Sequence, residues 1–279
     1  MLQRRGFSQT GRVPDSALRA RPSRRLSAAR DTLAQRWALL SPTMQIVRPQ
    51  GPGPFPTVLM FHGCGGRRAF LKLYMDACAA AGVMAVSFDS LTPRGIGRSR
   101  ALTTVCTGVE LPGWRRAGDV LAAIWAADQI PGADPARLGL MGWSHGGWAI
   151  MDLMTMALTK PGEAGLADPD PALLERVKAL VLAYPYCGPG ALSQLRPWRR
   201  AFDIFAFVGD RDSVAMPGLC RRALRTAERA GSTVEIWHPV GATHAFDEQG
   251  SGPFQRYRFD GEATAQAVRR SAAFLAARL

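Results

Sequence analysis

The pentapeptide Gly142-Trp143-Ser144-His145-Gly146 stands directly behind the apolar run Leu138-Gly139-Leu140-Met141. That order prescribes a strand, a sharp turn and then a helix. The turn forces strained backbone angles and presses helix onto strand, so its flanking positions must be small, as Gly142, Gly146 and Gly147 are. A serine held there presents its hydroxyl at a strand's carboxyl end, where it can act as a nucleophile. Five residues of this kind arise by chance in on the order of one in ten chains of this size, so their weight rests on what accompanies them.

From Thr57 onward, apolar runs of strand length alternate with longer segments whose apolar residues recur at helical spacing. Strands are expected over 57–61, 83–88, 138–141, 179–183, 204–208 and 234–238, with a short leading strand over 44–47. Helices are expected over 115–128, 147–157, 217–230 and 261–277. The implied class is α/β: a doubly wound, mostly parallel sheet with helices on both faces. Two segments rich in Gly and Pro, 90–113 and 160–171, read as loops. The first follows a strand's carboxyl end, where open α/β sheets place their ligand crevices, and so is a candidate pocket wall. The second reads as a surface excursion.

The formal net charge of +13 suggests nucleic acid until it is located. Residues 1–43 carry nine arginines against Asp15 and Asp31, more than half of the excess. The remainder is spread without the aromatic-interleaved stripe that single-strand binding needs, which argues against a nucleic-acid partner. The basic head matches a transit peptide, a disordered tail or an upstream-assigned start with Met44 as the true one. One catalytic domain over 44–279 is therefore expected. The head lacks a signal peptide's apolar core, and no stretch reaches the roughly 18 apolar residues of a membrane span. A cytoplasmic protein without membrane partners is the expectation. The five cysteines, at 64, 78, 106, 187 and 220, include no CxxC pair, so free thiols are expected and no metal site.

A serine nucleophile requires a base and an acid to orient that base. Of four histidines, His62 and His145 lie in glycine motifs and His238 at a strand end. His244 remains, in the loop between the last strand and the last helix. The acid should follow the preceding strand, where Gly209-Asp210-Arg211-Asp212 offers two candidates. Asp212, after a short turn, is favoured to reach the imidazole, with Asp210 forming the turn. An oxyanion needs two backbone donors. The His145 N–H follows by position. The second is assigned to the Cys64 N–H, with Gly65 close behind, in His62-Gly63-Cys64-Gly65-Gly66; a phosphate loop fits less well because the spacing matches neither dinucleotide nor Walker motifs.

With these residues placed, the chain from about Met44 to Leu279 resembles the α/β-hydrolase superfamily and, more narrowly, the dienelactone hydrolase family. The narrower resemblance rests on Phe61-His62-Gly63-Cys64-Gly65-Gly66, on Phe88-Asp89-Ser90-Leu91-Thr92-Pro93-Arg94-Gly95, on the serine motif through Gly147, and on Gly209-Asp210-Arg211-Asp212 and Thr243-His244-Ala245-Phe246. It implies a Ser144, Asp212, His244 triad that hydrolyses a small-molecule ester or lactone through an acyl-enzyme, without cofactor. The best-known members carry cysteine at the elbow, so Ser144 favours a general carboxylesterase. A peptidase of prolyl-oligopeptidase type and a non-catalytic binding module are the alternatives. Arg94 is a candidate for a substrate carboxylate or for a buried ion pair with Asp89 nearby, and Trp143 for an acyl-pocket wall or for core packing. Arg116 and Asp119 read as a solvated helix face, and Cys106 and Cys187 as small apolar lining.

Overall fold

A computed structural model describes residues 30–249 and 257–279. The chain runs α1 (Leu33–Leu40), β1 (Gln45–Val47), β2 (Phe55–Phe61), α2 (Leu71–Ala80), β3 (Met84–Phe88), the short α3 (Arg98–Arg100) continued by a π turn (Ala101–Val105), and α4 (Gly113–Trp125). It continues with β4 (Ala133–Trp143), α5 (His145–Met154), β5 (Val177–Ala183), β6 (Asp203–Phe207), α6 (Pro217–Arg229), β7 (Thr233–Trp237) and α7 (Gly261–Arg278). Seven strands form one sheet in the order β1-β3-β2-β4-β5-β6-β7. All pairs are parallel except β1 against β3.

Helices cover both faces of the sheet, α4 between α1 and α5 on one side and α2 against α7 on the other. That cover explains why the strands are continuous apolar runs: all five residues of β3 are buried, as are Val58–Phe61 of β2. Strand order reverses around β2, which has β3 on one side and β4 on the other. Met60 pairs with Met141 and Phe61 with Gly142, so the two strands end level, opening a crevice at their carboxyl ends.

Three sequence expectations are corrected here. Residues 31–43 belong to the fold and are not part of an extension ending at 43. Leu33, Trp37 and Leu40, at spacings of four and three, bury one face of α1, and Thr32 with Gln35 forms a capping box. The surrounding arginines hid this pattern, yet one of them, Arg36, is itself buried and bonded to Asp119. Residues 90–113 are not all loop, since α3 and its π turn lie within them. Residues 160–171 are more than a surface excursion: Leu166 bridges to Asp31, and Asp168 accepts the Leu33 N–H at 2.7 Å.

Candidate active site

Ser144 sits between β4 and α5 with φ 47° and ψ −108°, a left-handed strained conformation for a residue with a side chain. Its N–H donates to Ala183 O at 2.9 Å, and its carbonyl accepts from Trp148 and Tyr186. The glycines allow the close approach. A Cβ on Gly146 would collide with the Phe61 carbonyl of β2, and one on Gly142 would lie 2.6 Å from the Gly147 nitrogen. Ser144 is therefore clamped by backbone on three strands' ends.

His244 brings its Nε2 to 2.9 Å from Ser144 Oγ and its Nδ1 to 2.8 Å from Asp212 Oδ2. Asp212 Oδ1 accepts the Val214 and Ala215 N–H groups, both at 2.8 Å, which fixes the carboxylate's orientation. Asp210 is exposed and accepts the Gly241 N–H at 2.6 Å. The three residues picked out by chain order thus form one line, with His244 in hydrogen-bond reach of both Ser144 and Asp212, all buried.

His145 opens α5, so its N–H is one of the first-turn donors that no helical carbonyl can satisfy. The 62–66 loop lies alongside: a Cβ on Gly63 would be 3.7 Å from the Ser144 Cβ. Among the described residues the Cys64 N–H has no protein acceptor. Both histidines of these motifs are neutral supports. His62 accepts the Ser90 N–H at Nε2 and approaches Gly63 O at 2.6 Å through Nδ1. His145 donates from Nε2 to Leu111 O at 2.8 Å and accepts from Arg116 at Nδ1. Burial, reinforced by the Arg116 cation, depresses the pKa of His62 and takes that of His145 well below the imidazole range.

Arg116 and Asp119 are not a solvated face; both are fully buried. Helix α4 is enclosed between α1 and α5, so these two residues point inward, whereas Arg115 stays exposed. Arg116 donates to Ser90 Oγ at 3.1 Å and to His145 Nδ1 at 3.0 Å, and among the described residues its Nη2 has no partner. Burial lowers its pKa to about 10, leaving it charged at neutral pH. Burial alone would raise the Asp119 pKa, yet Arg94 and Arg36 pull it down to about 2. Of the two readings for Arg94, the ion pair is met and the substrate carboxylate is not: its guanidinium goes to Asp119, at 2.6 and 3.1 Å, and to Ser90 O, and it does not line the crevice. Its ion-pair partner is Asp119; Asp89 instead takes the Leu91 and Thr92 N–H groups of its own turn.

The crevice over Ser144 has a volume of about 120 Å³. Phe70, Leu102, Trp143 and Tyr184 supply apolar wall, and Arg68, Arg98 and Glu248 stand within it, Arg68 bonded to Glu248 at 2.6 Å. Trp143 both lines this space and packs edge-on to Phe70 and Tyr74. Its Nε1 reaches Asp247, a buried carboxyl that also takes the hydroxyls of Tyr74 at 2.7 Å and Tyr184 at 2.5 Å. Burial raises the Asp247 pKa to about 6 against those three hydrogen bonds. Sequence reasoning missed Asp247; its place three residues after His244 was the only available signal.

The thiol expectation holds for Cys78, Cys187 and Cys220, which are buried and free. Cys64 and Cys106 instead form a disulfide, with Cα atoms 5.0 Å apart across 42 residues of sequence. A separation of that length carries no pairing signal. Among the described residues, no group of three or more His, Cys, Asp or Glu could hold a metal, and no helix is long and apolar enough to cross a membrane.

No protein-family model matches the chain. No curated protein matches it either. Solved structures do. A dienelactone hydrolase-like promiscuous phosphotriesterase, P91, from metagenomic libraries superposes with a TM-score of 0.63 at 14% identity, over 85% of this chain and 99% of the other. A Klebsiella pneumoniae protein designated a dienelactone hydrolase gives 0.60 at 17%, over 84% and 92%. Propionate-bound esterase 2 of Thermogutta terrifontis gives 0.57 at 18%, over 83% and 88%. At such identities the likeness speaks for the fold: this chain has the α/β-hydrolase fold seen in dienelactone hydrolase-like proteins.

Proposed function

We propose that this protein is a serine hydrolase that cleaves carboxylic esters or lactones through an acyl-enzyme. The observation that carries the reading is the continuous line from Asp212 through His244 to Ser144 Oγ, with both hydrogen bonds under 3 Å and the serine on a strained turn. Asp212 Oδ2 accepts from Nδ1–H and so leaves the Nε2 lone pair facing the serine. As Oγ attacks the substrate carbonyl, Nε2 takes its proton. The negative charge that develops on the carbonyl oxygen meets the His145 and Cys64 N–H groups. Collapse of the tetrahedral adduct expels the alcohol, which receives the proton from His244. Water then enters, gives its proton to the same nitrogen and releases the acid.

The small crevice with its apolar wall suits short acyl groups, and esterase 2 of Thermogutta terrifontis, similar in fold, is known with propionate bound. In a test with p-nitrophenyl acetate, propionate and butyrate and a simple lactone, the wild-type chain is expected to turn over at least one, with Ser144→Ala lowering kcat by about 10³-fold or more. A folded wild-type protein that hydrolyses none of them contradicts the reading.

A further inference from the structure

The two oxyanion donors are both anchored on one segment outside the main core. Residues 89–112 form a satellite cluster of Leu91, Ile96, Ala101, Val105 and Leu111, against which Cys64 packs. His145 is tied to it through Nε2–H to Leu111 O, and through Arg116 to Ser90. The Cys64 loop has fewer ties to that segment: one non-covalent tie through His62 to the Ser90 N–H and the disulfide to Cys106, with the His62 Nδ1 contact to Gly63 O at 2.6 Å and a weak turn bond from Gly66 N to Gly63 O at 3.3 Å holding the loop only to itself. Gly63, Gly65 and Gly66 leave this loop with little torsional stiffness of its own, and a Cβ on Gly65 would meet nothing within 4 Å. Among the described residues the disulfide is the one bond made by Cys64 itself, which otherwise only packs against the cluster.

We infer that Cys106 is a positioning residue for the oxyanion hole: its disulfide holds the Cys64 N–H at the place where the carbonyl oxygen becomes charged. The inference rests on the hydrolase reading. An oxyanion donor works only at hydrogen-bond distance from the charged oxygen, and losing one costs about 10²–10³ in kcat. A donor set free to wander loses part of that. Both cysteines are partly exposed at the crevice, so a dithiol can reach the bond. Two thiols of the reductant then supply two electrons and two protons, Cys64 and Cys106 each leave as S–H, and the reductant closes its own disulfide. The other three cysteines are buried, free thiols already.

The experiment compares ester turnover by the intact chain before reduction, after dithiothreitol, and after reoxidation, alongside Cys106→Ser, Cys64→Ser and the double variant, with circular dichroism on each. The expected result is a fall in kcat of about tenfold or more on reduction, reversed by reoxidation, with KM changed less than threefold. Each single serine variant matches the reduced wild type, and the double variant adds nothing further. Free Cys64 and Cys106 thiols in the protein before reduction overturn the inference. So does an unchanged kcat in folded reduced protein, or a loss of activity that merely follows loss of the dichroism signal. Inactivity of the oxidised wild type would instead overturn the hydrolase reading itself.

Discussion

Asp210 and Asp212 stand two residues apart on one turn and serve different partners: Asp212 receives His244 Nδ1, whereas Asp210 receives the Gly241 N–H. Removing the charge at 212 while keeping its shape should leave the imidazole in the wrong tautomer, lowering kcat about 10⁴-fold for Asp212→Asn. Asp210→Asn keeps an acceptor for Gly241 and should retain kcat within about threefold, an effect set by loss of one exposed charge. Steady-state kinetics of the two variants side by side decide between them; the reverse pattern would assign the acid to Asp210.

Gly146 tests the clamp behind Ser144. The Cβ of Gly146→Ala meets backbone of β2, which cannot yield as a flexible side chain would. A loss of about 3 kcal/mol is expected, toward the upper end for overpacking and corresponding to roughly 6–12 °C in Tm for a chain of this size. Gly65→Ala, facing open space, should leave Tm within about 2 °C. Calorimetry on the pair reads the contrast directly.

Asp247 should make stability depend on pH. Its folded pKa of about 6 lies above the ordinary carboxyl value, so the native state holds a proton that the unfolded chain has released. The resulting stabilisation is present below about pH 4 and is lost as pH rises to about 6, a change on the order of 3 kcal/mol. Urea titrations of wild type and Asp247→Asn at intervals from pH 4 to 7 isolate this contribution as their difference. A difference that stays flat across the window would show that the carboxyl is ionised throughout.

The helix α1 should be required for full stability. A chain beginning at Met44 lacks Leu33, Trp37 and Leu40 and strips Asp119 of one of its two guanidinium partners. Exposing that apolar footprint and weakening a buried ion pair should cost several kcal/mol. Thermal melts of chains beginning at Arg30 and at Met44 measure it; equal Tm values would mean that α1 contributes nothing.

The parts of the fold legible in the sequence were those written locally. Strands covered on both faces need unbroken apolar runs, and 57–61 or 179–183 can hardly be read otherwise. Ser144, Asp212 and His244 could be picked out because each follows a strand's carboxyl end in a fixed chain order. What stayed hidden depends on neighbours distant in sequence. Arg116 and Asp119 look solvent-facing on α4 alone, and only α1 and α5 turn them into core; the partner of Arg94 becomes apparent only with them. The apolar face of α1 lay among arginines, one of which proved to be buried. The Cys64–Cys106 pairing and the three donors converging on Asp247 are set by folding that brings together residues tens to hundreds of positions apart, beyond the reach of any periodicity.

The most direct measurement is the mass of the intact protein, with peptide mapping, after treatment with a fluorophosphonate ester. A Ser144 nucleophile gives a single phosphonyl adduct located on Ser144, absent from Ser144→Ala and formed at least about 10²-fold more slowly in His244→Ala. Folded wild-type protein that stays unlabelled, or carries the adduct on a residue other than Ser144, would contradict it.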